Sequence, residues 1–449
     1  MKFNPTMNIS VHTIASALHD EVRVNEAVTA FITRIEKVLE SPLTLCGPEF
    51  SAYGQADLDL IYVCTGGTEG RFKELLPGLD GKIYLLTSGD SNSLAASLEI
   101  LSYLNQNGRS GEIIHGSDEY VAGRIAVLAK VSAARKSLKG ANLGVVGAPS
   151  DWLIASEMDR EAVAKKLGIN FVDVPVQELI DIYKALENGT DTALAGAVSS
   201  DSAEAQKQDA AQAQKQDTAE GQKCDAAEVV KNDVSGVAAK YAEGAIRIYK
   251  ALKVLVEKYQ LSGLTLRCFD LLDTLGNTGC LALAILNAEG IPAGCEGDVP
   301  TLVTMTIGNA LTGQCGFQAN PSRIDPEVGE MLLAHCTVPF NMILKHSYNT
   351  HFESGIGVAI HGELPTGPAT ICKVSTDLSR SFCAKAELTS NPYESNLCRT
   401  QIVMKLQGDA QQSPQSICRD YFLRAPIGNH HVVFTGDNAA LFTAFIESL

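Results

Sequence analysis

The amino-acid sequence predicts an α/β protein: two units with parallel sheets, followed by a C-terminal antiparallel sheet or barrel. Helical and strand-like patterns alternate in the first third of the chain, and the same alternation begins again at residue 142. After about residue 365, strand-like runs follow one another without helices between them. Alternation is typical of a parallel sheet covered by helices, whereas successive strands favour antiparallel pairing. A chain of 449 residues also exceeds the roughly 250–300 residues at which one core stops growing, so several domains are expected.

The first domain is predicted over residues 1–140. Short apolar runs of strand length occur at 58–63 and 83–86. They follow a helical segment with its apolar side chains on one stripe, formed by Val28, Phe31, Ile32, Ile35, Val38 and Leu39.

The second α/β domain is predicted over residues 141–300, with strands at 143–147, 171–174 and 264–268. It contains a low-complexity stretch at 199–236, in which Gln-Lys-Gln-Asp recurs at 206 and 214, and Gln-Lys-Cys-Asp follows at 222. Because this stretch has almost no large apolar side chains, we expect a mobile surface insertion without functional weight.

The third domain is predicted over residues 301–449. Strand-like runs at 369–375, 381–388, 400–406 and 431–435 are separated by polar turns, which is typical of an antiparallel sheet or barrel.

Charge excludes several classes of partner. The net charge of −16 repels phosphate backbones and anionic lipids, so neither nucleic acid nor a membrane surface is an expected partner. The sequence has neither a long apolar run nor a signal-peptide pattern, which predicts a cytoplasmic protein. The 12 cysteines lack the spacing of a zinc site and are expected to be reduced, small apolar side chains.

Three segments carry polar residues next to apolar runs, where catalytic groups of α/β proteins often lie. Asp270 and Asp273 follow a predicted strand, Glu296 and Asp298 flank a glycine before a helical run at 302–310, and His430 lies in a loop before the last strand.

Each segment also has a purely structural explanation. Asp298 suits the N-cap of the following helix, with Pro300 in its first turn. Asp270 and Asp273 suit a helix start, and a loop histidine is often a surface or hydrogen-bonding group.

Together, carboxylates and imidazole suit Mn²⁺ or a similar divalent ion with open positions for substrate oxygens. An ion that bridges two neighbouring sugar oxygens stabilises an enediolate, while a carboxylate moves a proton between adjacent carbons. These residue types therefore suit enolisation of a sugar.

Five blocks from about residue 260 to the C-terminus occur in a recognisable order: Arg267-Cys268-Phe269-Asp270, Gly290-Ile291-Pro292-Ala293-Gly294-Cys295-Glu296-Gly297-Asp298, Ala334-His335-Cys336-Thr337, Thr350-His351-Phe352-Glu353-Ser354-Gly355 and Gly428-Asn429-His430. In this order they resemble successive blocks of the L-fucose isomerase and L-arabinose isomerase family. The resemblance implies two Rossmann-like α/β domains with parallel sheets and a C-terminal antiparallel β-barrel-like domain.

The resemblance also implies a set of site residues. Carried onto this chain, it implies that Asp270, Asp298 and His430 bind Mn²⁺ or another divalent metal, and that the two aspartates are catalytic. The family usually has glutamate at the first acidic position, so Asp273 competes with Asp270. Glu296 is a further contender for the metal.

Two more histidines lie in matching blocks. His335 and His351 resemble substrate-facing residues or residues around the ligands, and His335 also resembles a metal-ligating position of the arabinose branch.

The implied activity is metal-dependent interconversion of an aldose and a ketose, such as L-fucose, D-arabinose or an L-arabinose-like sugar, through an enediolate. The implied assembly is a homotrimer or homohexamer. The alternative is a sugar-binding or regulatory protein that kept the fold and lost turnover.

Overall fold

The computed structural model describes residues 7–189 and 234–449. Most of the predicted insertion at 199–236 therefore lies outside the described residues. The chain divides into two compact units, one formed by Met1–Lys136 with Thr443–Leu449 and the other by Ser137–Phe442. The predicted domain boundaries near 140 and 300 stay predictions.

The first unit contains a five-stranded parallel sheet with strand order β2-β1-β3-β4-β5. Helix α1 shows why the sequence folds in this way: Asp20 caps its first turn by accepting from the Arg23 backbone N–H, and its apolar stripe is buried except for the exposed Val38. The elements are β1 Ile9–Ile14, α1 Glu21–Leu39, β2 Thr44–Gly47, β3 Leu58–Val63, α2 Glu69–Leu75, β4 Ile83–Leu86, α3 Ser93–Gln106, β5 Gly111–Ile114 and α4 Asp118–Leu138.

The second unit begins with a four-stranded parallel sheet of order β7-β6-β8-β9. Its elements are β6 Asn142–Val146, α5 Arg160–Leu167, β7 Asn170–Val174, α6 Val176–Glu187, α7 Ala242–Lys258, β8 Leu261–Leu266, α8 Asp270–Leu275, α9 Cys280–Ala288, β9 Ala293–Cys295 and α10 Val299–Thr312.

A closed antiparallel barrel of order β10-β11-β16-β15-β14-β17 follows in the same unit. Its closing strand pairs on both sides, since Val433 lies opposite Phe317 on one neighbour and Ile371 on the other. The elements are β10 Phe317–Asp325, β11 Glu330–His335, the hairpin β12 Lys345–Asn349 and β13 Ala359–Glu363, β14 Gly367–Val374, β15 Ser381–Ser390, β16 Thr400–Leu406 and β17 His431–Thr435. The last helix, α11 Ala439–Glu447, begins in this unit and ends in the first.

The predicted fold class is confirmed: two parallel α/β sheets precede an antiparallel barrel. The barrel begins at Phe317, earlier than the predicted run of strands after residue 365. One apolar cluster includes Val146 and Leu264 of the second sheet and Phe317 and Val433 of the barrel. This shared core fixes the end of β9 relative to the barrel strands. Over residues 7–189 and 234–449, no helix combines the length and apolar character needed to cross a membrane.

Candidate metal centre

Three side chains from distant segments converge in the second unit. Glu296 follows β9, His335 ends β11 and His430 immediately precedes β17. Oε1 of Glu296 lies 3.4 Å from Nε2 of His430 and 3.7 Å from Nε2 of His335. The two imidazole rings meet edge to face, with centroids 5.4 Å apart. One ligand atom each from Glu296, His335 and His430 lies within 4.8 Å of the other two, a spacing that allows all three atoms to contact one ion.

Hydrogen bonds orient both histidines. Nδ1 of His430 lies 2.8 Å from Oδ2 of Asp298, and Nδ1 of His335 lies 3.0 Å from the hydroxyl of Thr337. A carboxylate accepts only, so the His430 bond requires a proton on Nδ1 and leaves Nε2 for another partner. That Nε2 atom is buried and has no hydrogen-bond partner among the described residues. A metal-ligating histidine is commonly oriented by such a carboxylate.

The backbone of Glu296 has an unusual conformation. Its φ is 64°, in the left-handed region that residues other than glycine rarely adopt. The segment after β6 holds this turn: the Ser150 backbone N–H donates to the Glu296 carbonyl over 2.9 Å, and the Trp152 indole N–H donates to Oε2 over 2.7 Å. A Cβ at Gly297 would overlap the Ala148 carbonyl, so the two segments also meet closely there.

Asp298 performs a different task from Glu296. Its Oδ1 accepts the Thr301 backbone N–H over 2.8 Å, which is the N-cap bond of α10 considered from the sequence. The Lys373 ammonium lies 3.5 Å from both carboxylate oxygens and 2.6 Å from the Thr301 hydroxyl. The exposed fractions of the Lys373 and Asp298 side chains are 1% and 0%. Asp298 is therefore a buried counter-charge that also orients His430.

The pKa values reflect this arrangement. Burial alone would raise the pKa of Glu296, but His335 and His430 hold it well below its usual range. Burial likewise opposes ionisation of Asp298, but Lys373 and His430 hold its pKa low. Burial disfavours the charged form of His430, yet the bond to Asp298 and nearby Glu296 raise its pKa to about 9. Burial lowers the pKa of His335. A cation at this group would replace a proton as the counter-charge of Glu296.

The donor set fits a divalent cation. Two imidazole nitrogens and one carboxylate oxygen suit Mn²⁺, Fe²⁺, Co²⁺ or Zn²⁺, and three protein ligands leave open positions. The Nε2 atom of His430 is the observation that favours occupancy, because it is buried beside the Glu296 carboxylate, 3.4 Å away, without making a hydrogen bond to any described residue, and a buried polar atom without a hydrogen bond costs free energy. Since the charges of Asp298 and Lys373 balance, Glu296 supplies the negative charge of the ligand set.

Asp270 and Asp273 lie on α8 and are not among the three converging side chains. Asp270 begins α8, where its Oδ1 accepts from Nε of Arg267 over 2.9 Å, and Asp273 is exposed on the same helix. Neither belongs to the group formed by Glu296 and the two histidines. His351 bonds through Nδ1 to the Ser354 hydroxyl over 3.1 Å. Its ring meets that of Phe269 edge to face, 5.6 Å apart.

The sequence pattern favoured Asp298 over Glu296 and His335 as a metal ligand. In the structure, Glu296 faces both His335 and His430 through Oε1, and Asp298 bonds the other ring nitrogen of His430. Trp152 and Lys373 were not among the residues predicted from the sequence. A lysine within the apolar run of β14 is a usable signal, because a lysine is rarely buried without a partner.

One curated relative is similar in sequence to part of this chain. A segment of 131 residues is 29% identical to the sulfoquinovose isomerase of Clostridium sp. (strain MSTE9), and it covers 29% of this chain and 28% of the relative. The match thus spans less than a third of the relative's length. No family model matches the chain.

Proposed function

We propose that this chain is a metal-dependent sugar isomerase that interconverts an aldose and a ketose through an enediolate. The observation that carries the proposal is the Glu296, His335 and His430 group with its unpartnered His430 nitrogen. The partial similarity to a sulfoquinovose isomerase supports isomerisation over the alternative of a binding protein without turnover.

The ligand set determines what the group does. A divalent cation held there supplies Lewis-acid stabilisation of negative charge on sugar oxygens. Glu296 and the two histidines would hold the cation, and Asp298 and Thr337 orient the two rings so that their Nε2 atoms would face it. With one carboxylate among its ligands, the group would keep a net positive charge when a divalent cation is bound, which would favour an anionic form of the substrate.

Proton transfer needs a carboxylate that substrate can reach. Asp298 is fully buried, and both of its oxygens are engaged. Asp270 is 36% exposed and follows Phe269, whose ring contacts Trp152 and His351. We assign the transfer between the two adjacent sugar carbons to Asp270, which takes the proton from C2 of the aldose and returns it to C1, while the proton of the C2 hydroxyl passes to the C1 oxygen.

The test begins with chelated protein, titrated with Mn²⁺, Co²⁺, Fe²⁺ and Zn²⁺ in a calorimeter. The loaded protein is then incubated in D₂O with L-fucose, D-arabinose, L-arabinose and sulfoquinovose, and the products are read by NMR. We expect one of these aldoses to yield its ketose with deuterium on the carbon that receives the proton.

Variants separate the roles. His335→Gln is expected to lose metal affinity, whereas His19→Gln, an exposed histidine outside the group, retains it. Asp270→Asn is expected to bind metal normally and lose turnover. Wild-type protein that binds none of the four cations contradicts the metal centre. Metal binding without conversion of any sugar favours the non-catalytic alternative.

A further inference from the structure

Trp152 joins the candidate metal centre to the protein surface. It is the one tryptophan of the chain, and its indole N–H donates to Oε2 of Glu296 over 2.7 Å. The other oxygen of the same carboxylate faces the two histidines. Nevertheless, 52% of the Trp152 residue is exposed. A large aromatic ring thus stays partly uncovered while its polar atom is bound to a buried carboxylate.

Other rings extend this surface. The rings of Trp152 and Phe269 meet edge to face with centroids 4.8 Å apart, and Phe269 meets His351 in the same way over 5.6 Å. Phe269 and His351 also line a small cavity together with Thr278, whose buried hydroxyl has no hydrogen-bond partner among the described residues. The three rings form a continuous aromatic wall next to Glu296.

We propose that Trp152 binds the sugar and positions the metal ligand at once. Its N–H holds Oε2 of Glu296 so that Oε1 is presented to the cation. Its exposed ring, supported by Phe269, packs against the carbon-bearing face of the sugar. This inference rests on the proposed function and adds a subsite to it.

The chemistry of a sugar fits such a wall. One face of a sugar carries mainly C–H groups, and an aromatic ring covers them without competing for the hydroxyls. The indole N–H bonds the carboxylate that faces the two histidines, so the ring lies close to the place where a sugar held at the cation would bind.

Two variants divide the roles of Trp152. Trp152→Phe removes the N–H and keeps an aromatic ring, although a smaller one than indole, whereas Trp152→Leu removes both the N–H and the aromatic ring. Mn²⁺ affinity is measured by calorimetry on chelated protein. Affinity for sugar alcohols, the reduced forms of the four aldoses, is measured at saturating Mn²⁺. Tyr120→Leu, at an exposed aromatic residue of the first unit, is the matched control.

We expect both variants to weaken Mn²⁺ binding by about tenfold, the effect typical of residues that orient a metal ligand. Sugar-alcohol affinity should stay near wild type in Trp152→Phe and fall about three- to tenfold in Trp152→Leu. The emission of wild-type Trp152 should also shift when Mn²⁺ binds, and Glu296→Gln should abolish that shift.

Several results would overturn the inference. Equal sugar-alcohol affinity in wild type and Trp152→Leu excludes the subsite while leaving the metal centre intact. A change in oligomeric mass in Trp152→Leu also excludes the subsite, because the Trp152 ring then belongs to an interface between copies of this chain. Loaded wild-type protein that binds no sugar alcohol also contradicts the subsite. Failure of wild type to bind any cation instead refutes the proposed function itself.

Discussion

Replacing Asp298 by asparagine separates three contacts of one side chain. Oδ1 still accepts the Thr301 N–H, since asparagine caps helices about as well as aspartate. The atom that replaces Oδ2 is an NH₂ group, which donates to Nδ1 of His430 and moves the ring proton to Nε2. Nε2 of His430, which faces Glu296, then carries the proton and cannot bind a cation. The Lys373 ammonium meanwhile loses its buried counter-charge.

These contacts set the expected magnitudes. Loss of the bond that orients a metal-ligating histidine typically lowers metal affinity by about 10–100-fold, and the altered tautomer favours the upper end. Removing one partner of a buried ion pair costs about 3–5 kcal/mol of unfolding free energy. Asp298→Asn should therefore weaken Mn²⁺ binding and also destabilise the fold. A pure capping role would leave both quantities nearly unchanged.

A double-mutant cycle distinguishes the two effects. Mn²⁺ affinity by calorimetry and unfolding free energy by urea titration are compared for Asp298→Asn, Lys373→Met and the combined variant. Removing the ammonium should restore much of the stability in the combined variant but none of its metal affinity. Wild-type affinity in Asp298→Asn, or recovery of affinity in the combined variant, would refute the assigned role of Asp298.

Two further predictions concern packing and charge. Gly308→Ala in α10 places a methyl group against the Phe434 ring and should lower the unfolding free energy, measured by urea titration, by about 1–3 kcal/mol. Gly123→Ala on α4 is the control: the added methyl group meets no other atom among the described residues, so the change should be neutral or stabilising. Burial opposes ionisation of Glu112, but its bonds to Arg124 hold its pKa below the usual value. Its stabilising effect is present above the unfolded pKa of about 4.3 and is lost as pH falls through the lower folded value. Glu112→Gln should thus melt below wild type at neutral pH, with a difference that shrinks in acid; a constant difference would contradict this.

Much of the fold was predictable because several strands are recognisable as short apolar runs in the local sequence. The apolar runs predicted at 58–63, 83–86, 400–406 and 431–435 coincide with β3, β4, β16 and β17. β10 was missed because its sequence contains Pro321 and exposed polar residues, and β12 because most of its residues are polar and exposed. These strands are specified by their partners rather than by their own periodicity.

The site was only partly predictable. Glu296, His335 and His430 were all recognised as candidate site residues. Which carboxylate faces the histidines, however, depends on long-range contacts. Lys373, 75 residues after Asp298, supplies the charge that balances it. Trp152, 144 residues before Glu296, binds the carboxylate that faces the histidines. A lysine in an apolar strand indicates that Lys373 needs a buried partner, but local spacing identifies neither that partner nor the carboxylate that Trp152 bonds.

Two carboxylates only two residues apart take different roles because a single turn lies between them. Glu296 adopts the left-handed region after β9, so its side chain extends toward the histidines, and Asp298 starts α10, so its side chain turns back to the Thr301 N–H. The cap holds Oδ1, which leaves Oδ2 to orient His430. The start of this helix and the orientation of the metal-facing ring are therefore coupled. Any change that unwinds the first turn of α10 should weaken metal binding even if Glu296, His335 and His430 are intact.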